Sequence, residues 1–129
     1  MPLGLRLARL TLDSPGYTAE DLTPAVLGLI RRQRLTNGVV TLYAASPGTA
    51  VVLIEYEPEL LKDLEELIAS LGGRSPVVSE ALLGKEASAP VVRGSLETGR
   101  FKNFVFIDLS RSPGEKEVVA VLEGVFEGG

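Results

Sequence analysis

Six carboxylates fall between positions 55 and 66: Glu55, Glu57, Glu59, Asp63, Glu65 and Glu66. Oxygen ligands at this density suit a hard divalent cation such as Mg²⁺, and such groups can also orient a substrate. Two of the six stand apart. Glu55 follows Ile54 at the end of a strongly apolar run, where an unpaired charge is costly. Asp63 abuts Leu64, on the shoulder of an apolar helical stripe. Both are expected to be partly buried and hydrogen-bonded, either at a site or in a structural pair. Glu57, Glu59, Glu65 and Glu66 read as the solvated start and outer face of a helix whose first turn favours anions.

A second stretch, "RGSLETGR" from Arg93 to Arg100, places two arginines and two glycines between strands. Guanidinium groups and backbone amides there can surround an anion. The alternative is a hairpin whose glycines take positive φ. It is not a Walker-type phosphate loop, because no Lys-Ser/Thr pair and no helix follow its second glycine. "SPGT", Ser46 to Thr49, reads as a tight turn. The basic run "RRQR", Arg31 to Arg34, lies near a helix end, where cations complement the dipole; that reading outweighs a phosphate patch.

Composition bounds the chemistry. The 129 residues fit one domain, 1–129, able to bury its own core. There is no cysteine and no histidine. Disulfides, thiolate nucleophiles, imidazole bases and Ser-His-Asp triads are excluded. A net charge of −4 argues against a nucleic-acid partner. No apolar run approaches a membrane span. Arg6 and Arg9 interrupt the N-terminal apolar residues, so no export signal is expected and the reading is cytoplasmic. Scarce Asn, Gln and Met beside many Glu, Arg, Leu and Pro suit a thermophilic source.

The elements that must position these residues follow from periodicity. Leu3, Leu5 and Leu7 alternate as in a strand, and the phase then slips to Leu10 and Leu12, which predicts a bulge near Ala8 or Arg9. Thr23-Pro24 predicts an N-cap and first helical residue for a helix towards Arg34. Gly38–Ala45, "SPG" and Thr49–Tyr56 predict a hairpin. After Pro58, Leu60, Leu64, Leu67, Ile68 and Leu71 share one helical face, which Gly72-Gly73 ends. "SEALLG" predicts a short helix capped by Ser79 and closed by Gly84. Strands over Pro90–Arg93, Arg100–Leu109 and Glu117–Leu122 complete an α+β order.

The run "LYAASPGTAVVLIEYEPELLKDLEEL", with "SEALLGKEASAPVVRGSLETGRFKNFVFIDLSRSPGEKEVVAVLEG", resembles the YjbQ-like family of secondary thiamine-phosphate synthases. The resemblance runs from about Arg6 to Gly124. Glu55 and Asp63 match acids of the family's pocket. Its His-Thr-(Thr/Ser)-Ala motif falls on Ser46–Thr49, a second histidine falls on Val77, and its tryptophan is Phe101. A further histidine-containing segment between the two helices is replaced by "GGRSPVV".

The resemblance implies two small, mostly antiparallel sheets packed as a sandwich with flanking helices, and a homotrimer with pockets between subunits. It also implies two readings of function. In the first, the chain is a weak or altered transferase of the thiamine-phosphate synthase type, acting on phosphorylated small molecules. Glu55 and Asp63 would then be catalytic and would hold Mg²⁺, while Ser46, Thr49, Arg93, Gly94 and Arg100 would contact the substrate or its anionic groups. In the second, the chain is a non-catalytic trimeric ligand-binding or interaction module that has lost the histidine-based site. Convergence of Glu55, Asp63 and an arginine in one concave pocket would favour the first.

Overall fold

A computed structural model of the chain describes residues 2–72 and 75–128. The elements run β1 (Gly4–Ser14), β2 (Thr18–Asp21), α1 (Thr23–Gln33), β3 (Leu35–Ala44), β4 (Thr49–Ile54), α2 (Pro58–Gly72), α3 (Pro76–Leu83), β5 (Glu86–Val92), β6 (Ser95–Leu96), β7 (Asn103–Asp108) and β8 (Gly114–Phe126). They form a five-stranded sheet, β1-β8-β3-β5-β6, and a three-stranded sheet, β2-β7-β4. Every pairing is antiparallel. The expected α+β sandwich with flanking helices is therefore present. Among the described residues no helix is long and apolar enough to cross a membrane.

The core lies between the sheets. Val40, Leu42, Val118, Ala120 and Leu122 of the larger sheet meet Phe104, Phe106 and Val51 of the smaller one. Val26, Leu29 and Ile30 of α1 close the same core. α2 and α3 lie over the other face of the small sheet, where Ala50 and Val105 are also buried.

Several sequence expectations are corrected. β1 has no bulge: it pairs with β8 without interruption from Gly4 to Ser14. The phase slip arises because β1 is apolar on both faces. Leu10 and Leu12 point inward, while Leu5 and Leu7 are exposed on the outer face. The register irregularity lies instead in β3, between Leu35 and Asn37. Just beyond it Gly38 and Gly124 face each other so closely that a Cβ on Gly38 would sit 1.8 Å from the Glu123 carbonyl oxygen. Only glycine fits there.

β3 and β4 are not a hairpin. They belong to different sheets, and the Ser46–Gly48 turn carries the chain from one to the other. In α1, Thr23 is already helical, and its hydroxyl accepts from the Phe104 N–H (2.9 Å) rather than capping. α3 starts at Pro76, so Ser79 is a buried helical residue, not a cap. Gly84 ends α3 as expected, at φ 100°. Gly72 is the last residue of α2; Gly73 of the expected stop lies outside the described residues.

Candidate functional site

The turn between β3 and β4 is the first candidate, and it is fully occupied in holding the fold. The Ser46 hydroxyl accepts from the Glu117 N–H (2.9 Å), and the Thr49 hydroxyl donates to the Ser46 carbonyl. The Lys85 ammonium donates to the carbonyls of Ser46 (3.0 Å) and Thr49 (2.8 Å) and to Glu80 Oε2 (3.3 Å). The same Glu80 oxygen accepts from the Gly48 N–H. These contacts fasten the turn to β8 and to the start of β5.

Beside this turn lies a buried carboxylate. Asp108 ends β7 with its side chain on the Phe104–Phe106 side, and the residue is 1% exposed. Its Oδ2 accepts from Ser14 Oγ (2.6 Å). Its Oδ1 accepts from the Ser110 N–H (2.9 Å) and hydroxyl (2.7 Å). The Lys116 ammonium lies 3.9 Å away and donates to Ser110 Oγ (3.3 Å). A buried charge is tolerable only with this kind of pairing. The network ties the ends of β1, β7 and β8 together.

A cavity of about 840 Å³ lies between α2, α3 and the β2–β7 part of the small sheet. Leu61, Leu64, Ile68 and Ile107 give it apolar walls; Lys62, Glu65, Tyr17 and Arg111 supply polar groups. Tyr17 and Arg111 are exposed, so they stand at its rim. The Arg111 guanidinium lies over the Tyr17 ring at 4.3 Å from the centroid, a cation–π contact. Tyr17 adopts φ 50°, a strained conformation for an aromatic residue, next to Gly16 at φ 85°. Its phenol is held above the ordinary value of 10.0, first by hydrogen bonding to the Glu65 carboxylate, then by burial and by the charge of Glu65, with Arg111 opposing.

The carboxylates and arginines singled out in the sequence do not meet. Asp63 is exposed, against expectation, because it falls on the side of α2 turned away from Lys62, Leu64 and Glu65. Glu55 is half-buried, and among the described residues its carboxylate makes no ion pair. Glu57 is not merely solvated: its carboxylate accepts from the Leu60 N–H (3.0 Å) and caps α2. Of the expected apolar stripe of α2, Leu64 and Ile68 line the cavity, while Leu60, Leu67 and Leu71 are exposed. Arg93 and Gly94 border a different, smaller cleft. Arg100 stacks on the ring of Phe101 (4.9 Å). Among the described residues no three carboxylates gather to hold an ion. Glu55 precedes α2 and Asp63 lies on its exposed side, and neither borders the α2 cavity.

Sequence reasoning passed over Asp108, Glu80 and Lys85. Asp108 carried a readable signal, since it ends the apolar run Phe104–Ile107 as Glu55 ends its own.

A two-sheet antiparallel sandwich with helices roofing one cavity defines the class. The profile of the family described as "UPF0047 protein YjbQ-like" matches residues 8–124, and the chain belongs to this family. It is 26% identical to a "UPF0047 protein" of Methanothermobacter thermautotrophicus, over 69% of this chain and 71% of that one. Its fold is similar to that of a "YbjQ-like protein of unknown function" from Sulfolobus solfataricus (TM-score 0.90, 19% identity, 96% of this chain and 100% of that one). A hypothetical protein from Aeropyrum pernix is also similar (TM-score 0.84, 23% identity, 93% of this chain and 99% of that one).

Proposed function

We propose that this YjbQ-like chain is a non-catalytic ligand-binding module, assembled as a homotrimer, whose ligand seat is the cavity beneath α2. The supporting observation is the contrast between that cavity and the expected catalytic set. The cavity is roomy, mainly apolar and edged by two cations, Lys62 and Arg111. Sites of about 300–1,000 Å³ with this lining take small organic molecules. The ligand class is an organic molecule with a largely apolar body and one anionic group to meet Arg111.

The transferase reading needs Glu55 and Asp63 on one cation, with Ser46, Thr49 and arginines on the substrate. Asp63 faces away from the cavity, and the groups of Ser46 and Thr49 are committed to the turn. The trimer reading is supported by the outer face of the large sheet. Leu5, Leu7, Val39 and Tyr43 are each exposed there, an apolar surface that a second subunit would cover.

An anionic, aromatic fluorophore such as 8-anilinonaphthalene-1-sulfonate tests the seat. Saturable binding, one probe per chain, lost on Ile107→Trp and weakened by Arg111→Ala, is the expected result. Binding indifferent to both substitutions would sink the assignment. Turnover of pyrimidine diphosphate and thiazole phosphate with Mg²⁺ above the uncatalysed rate would overturn the non-catalytic reading. Light scattering should give a trimer that Leu7→Glu dissociates; a wild-type monomer at micromolar concentration would refute the assembly.

A further inference from the structure

The basic run at the end of α1 and the turn between β5 and β6 come together in space. Arg31, in the last turn of α1, Arg34, its C-cap, and Arg93 of the turn border one cleft of about 270 Å³. Leu27 and Leu35 flank it, and Glu127 is the carboxylate on its wall. It shares no residue with the cavity beneath α2.

Capping of the helix does not account for this gathering of like charges. The C-terminus of α1 is already served: the Arg34 N–H donates to the Arg31 and Ile30 carbonyls, and Arg6 Nη1 donates to the Gln33 carbonyl (3.0 Å). Arg6 also stacks on Phe126 (4.2 Å) and so is spent. By contrast, among the described residues the guanidinium groups of Arg31, Arg34 and Arg93 form no ion pair.

Arg93 is held in place at some conformational cost. It takes φ 51° and is followed by Gly94 at φ 78°, a two-residue hairpin turn whose first position normally favours Asn, Asp or Gly. The turn is fastened to β3: the Arg93 N–H donates to Asn37 Oδ1 (3.1 Å), and the Gly94 N–H donates to the Thr36 carbonyl (2.8 Å). The Glu127 N–H is likewise taken by the Arg34 carbonyl (2.9 Å). These backbone amides are therefore closed to a ligand. What remains for an anion is a set of guanidinium forks, whose planar donors match the oxygens of a phosphoryl group.

We propose that Arg31, Arg34 and Arg93 form a binding cleft for the phosphoryl end of a small phosphorylated molecule. The volume suits a phosphate or pyrophosphate with a short apolar extension along Leu27 and Leu35. The chain's net charge of −4 and the presence of Glu127 disfavour a long polyanion.

Calorimetric titration of the full chain with inorganic pyrophosphate at low salt tests this. One saturable site per chain is expected. Arg93→Asn, which suits the turn's backbone, and Arg31→Ala, on the helix surface, should each weaken binding about tenfold, the effect of losing one charge-assisted contact. Lys102→Ala, which removes an exposed cation bordering neither cavity, should leave the titration unchanged. No saturable binding by the wild type, or equal binding by Arg93→Asn and Arg31→Ala with melting temperatures intact, would overturn the proposal. Tighter binding of a short DNA duplex through the same arginines would overturn the small-molecule assignment.

Discussion

Two strands of the small sheet run into a carboxylate, at opposite ends of the same pairing. β7 ends in Asp108, opposite Thr49; β4 runs into Glu55, just past Ile54, which lies opposite Asn103. In sequence the two acids look alike, each closing an apolar run. Their surroundings differ completely. Asp108 is sealed at the corner where β1, β7 and β8 meet and has two serine hydroxyls, a backbone N–H and a lysine around it. Glu55 stands half-buried in the link to α2; its backbone carbonyl accepts from the Glu57 N–H, and among the described residues its carboxylate makes no ion pair. A charge at a strand end is thus no sign of a site. Its cost is met either by partners, which makes it structural, or by partial access to water.

Removing Asp108 should give the largest effect. Asp108→Ala strands Lys116, whose side chain is 10% exposed, the buried Ser14 hydroxyl and the part-buried Ser110 hydroxyl. A loss of about 3–5 kcal/mol in urea unfolding is expected; a loss under about 1 kcal/mol would break the contrast. Next, Lys85→Ala removes the donor that holds the Ser46 and Thr49 carbonyls and should cost about 2 kcal/mol by the same measurement. At the other end of the sheet, Glu57→Ala removes the cap of α2, with an expected loss of about 1 kcal/mol. Glu55→Gln and Asp63→Asn should each stay within about 0.5 kcal/mol, as at ordinary surface positions. A larger loss at Glu55 would show that it has a structural partner after all.

The smallest effect concerns Tyr17. Its raised phenol favours the neutral form in the folded chain, so the associated stability is complete below pH 10.0 and is lost as pH rises through the folded value. Glu65→Gln should lower the tyrosinate titration of Tyr17, read as absorbance against Tyr17→Phe. An unchanged titration would remove Glu65 as the cause.

Much of the fold was legible from local pattern. The helices after Thr23 and Pro58, the stop at Gly84 and the α+β order all follow from periodicity and capping chemistry, because these depend on residues a few positions apart. The homology to a two-sheet sandwich was legible from "APVVRG" and "VVAVLEG". The supposed hairpin of β3 and β4 failed because alternation shows that a segment is a strand, not which strand it will pair with. The supposed bulge in β1 failed because a strand apolar on both faces has no single phase to read.

Of the site, the sequence by itself determined the inventory. It excluded imidazole and thiol chemistry, and it marked Glu55, Asp63, Arg93 and Arg100 as residues expected to converge at a site. The tertiary structure alone decided how charges were grouped. It turned Asp63 outward, buried Asp108 among donors 94 positions away in the case of Ser14, and set Arg93 beside Arg31 and Arg34 instead of Arg100. The physical reason is that ionic and hydrogen-bond energies depend on distances of a few ångströms and on exclusion of water. Those distances are set by sheet pairing between remote segments, which no local spacing encodes.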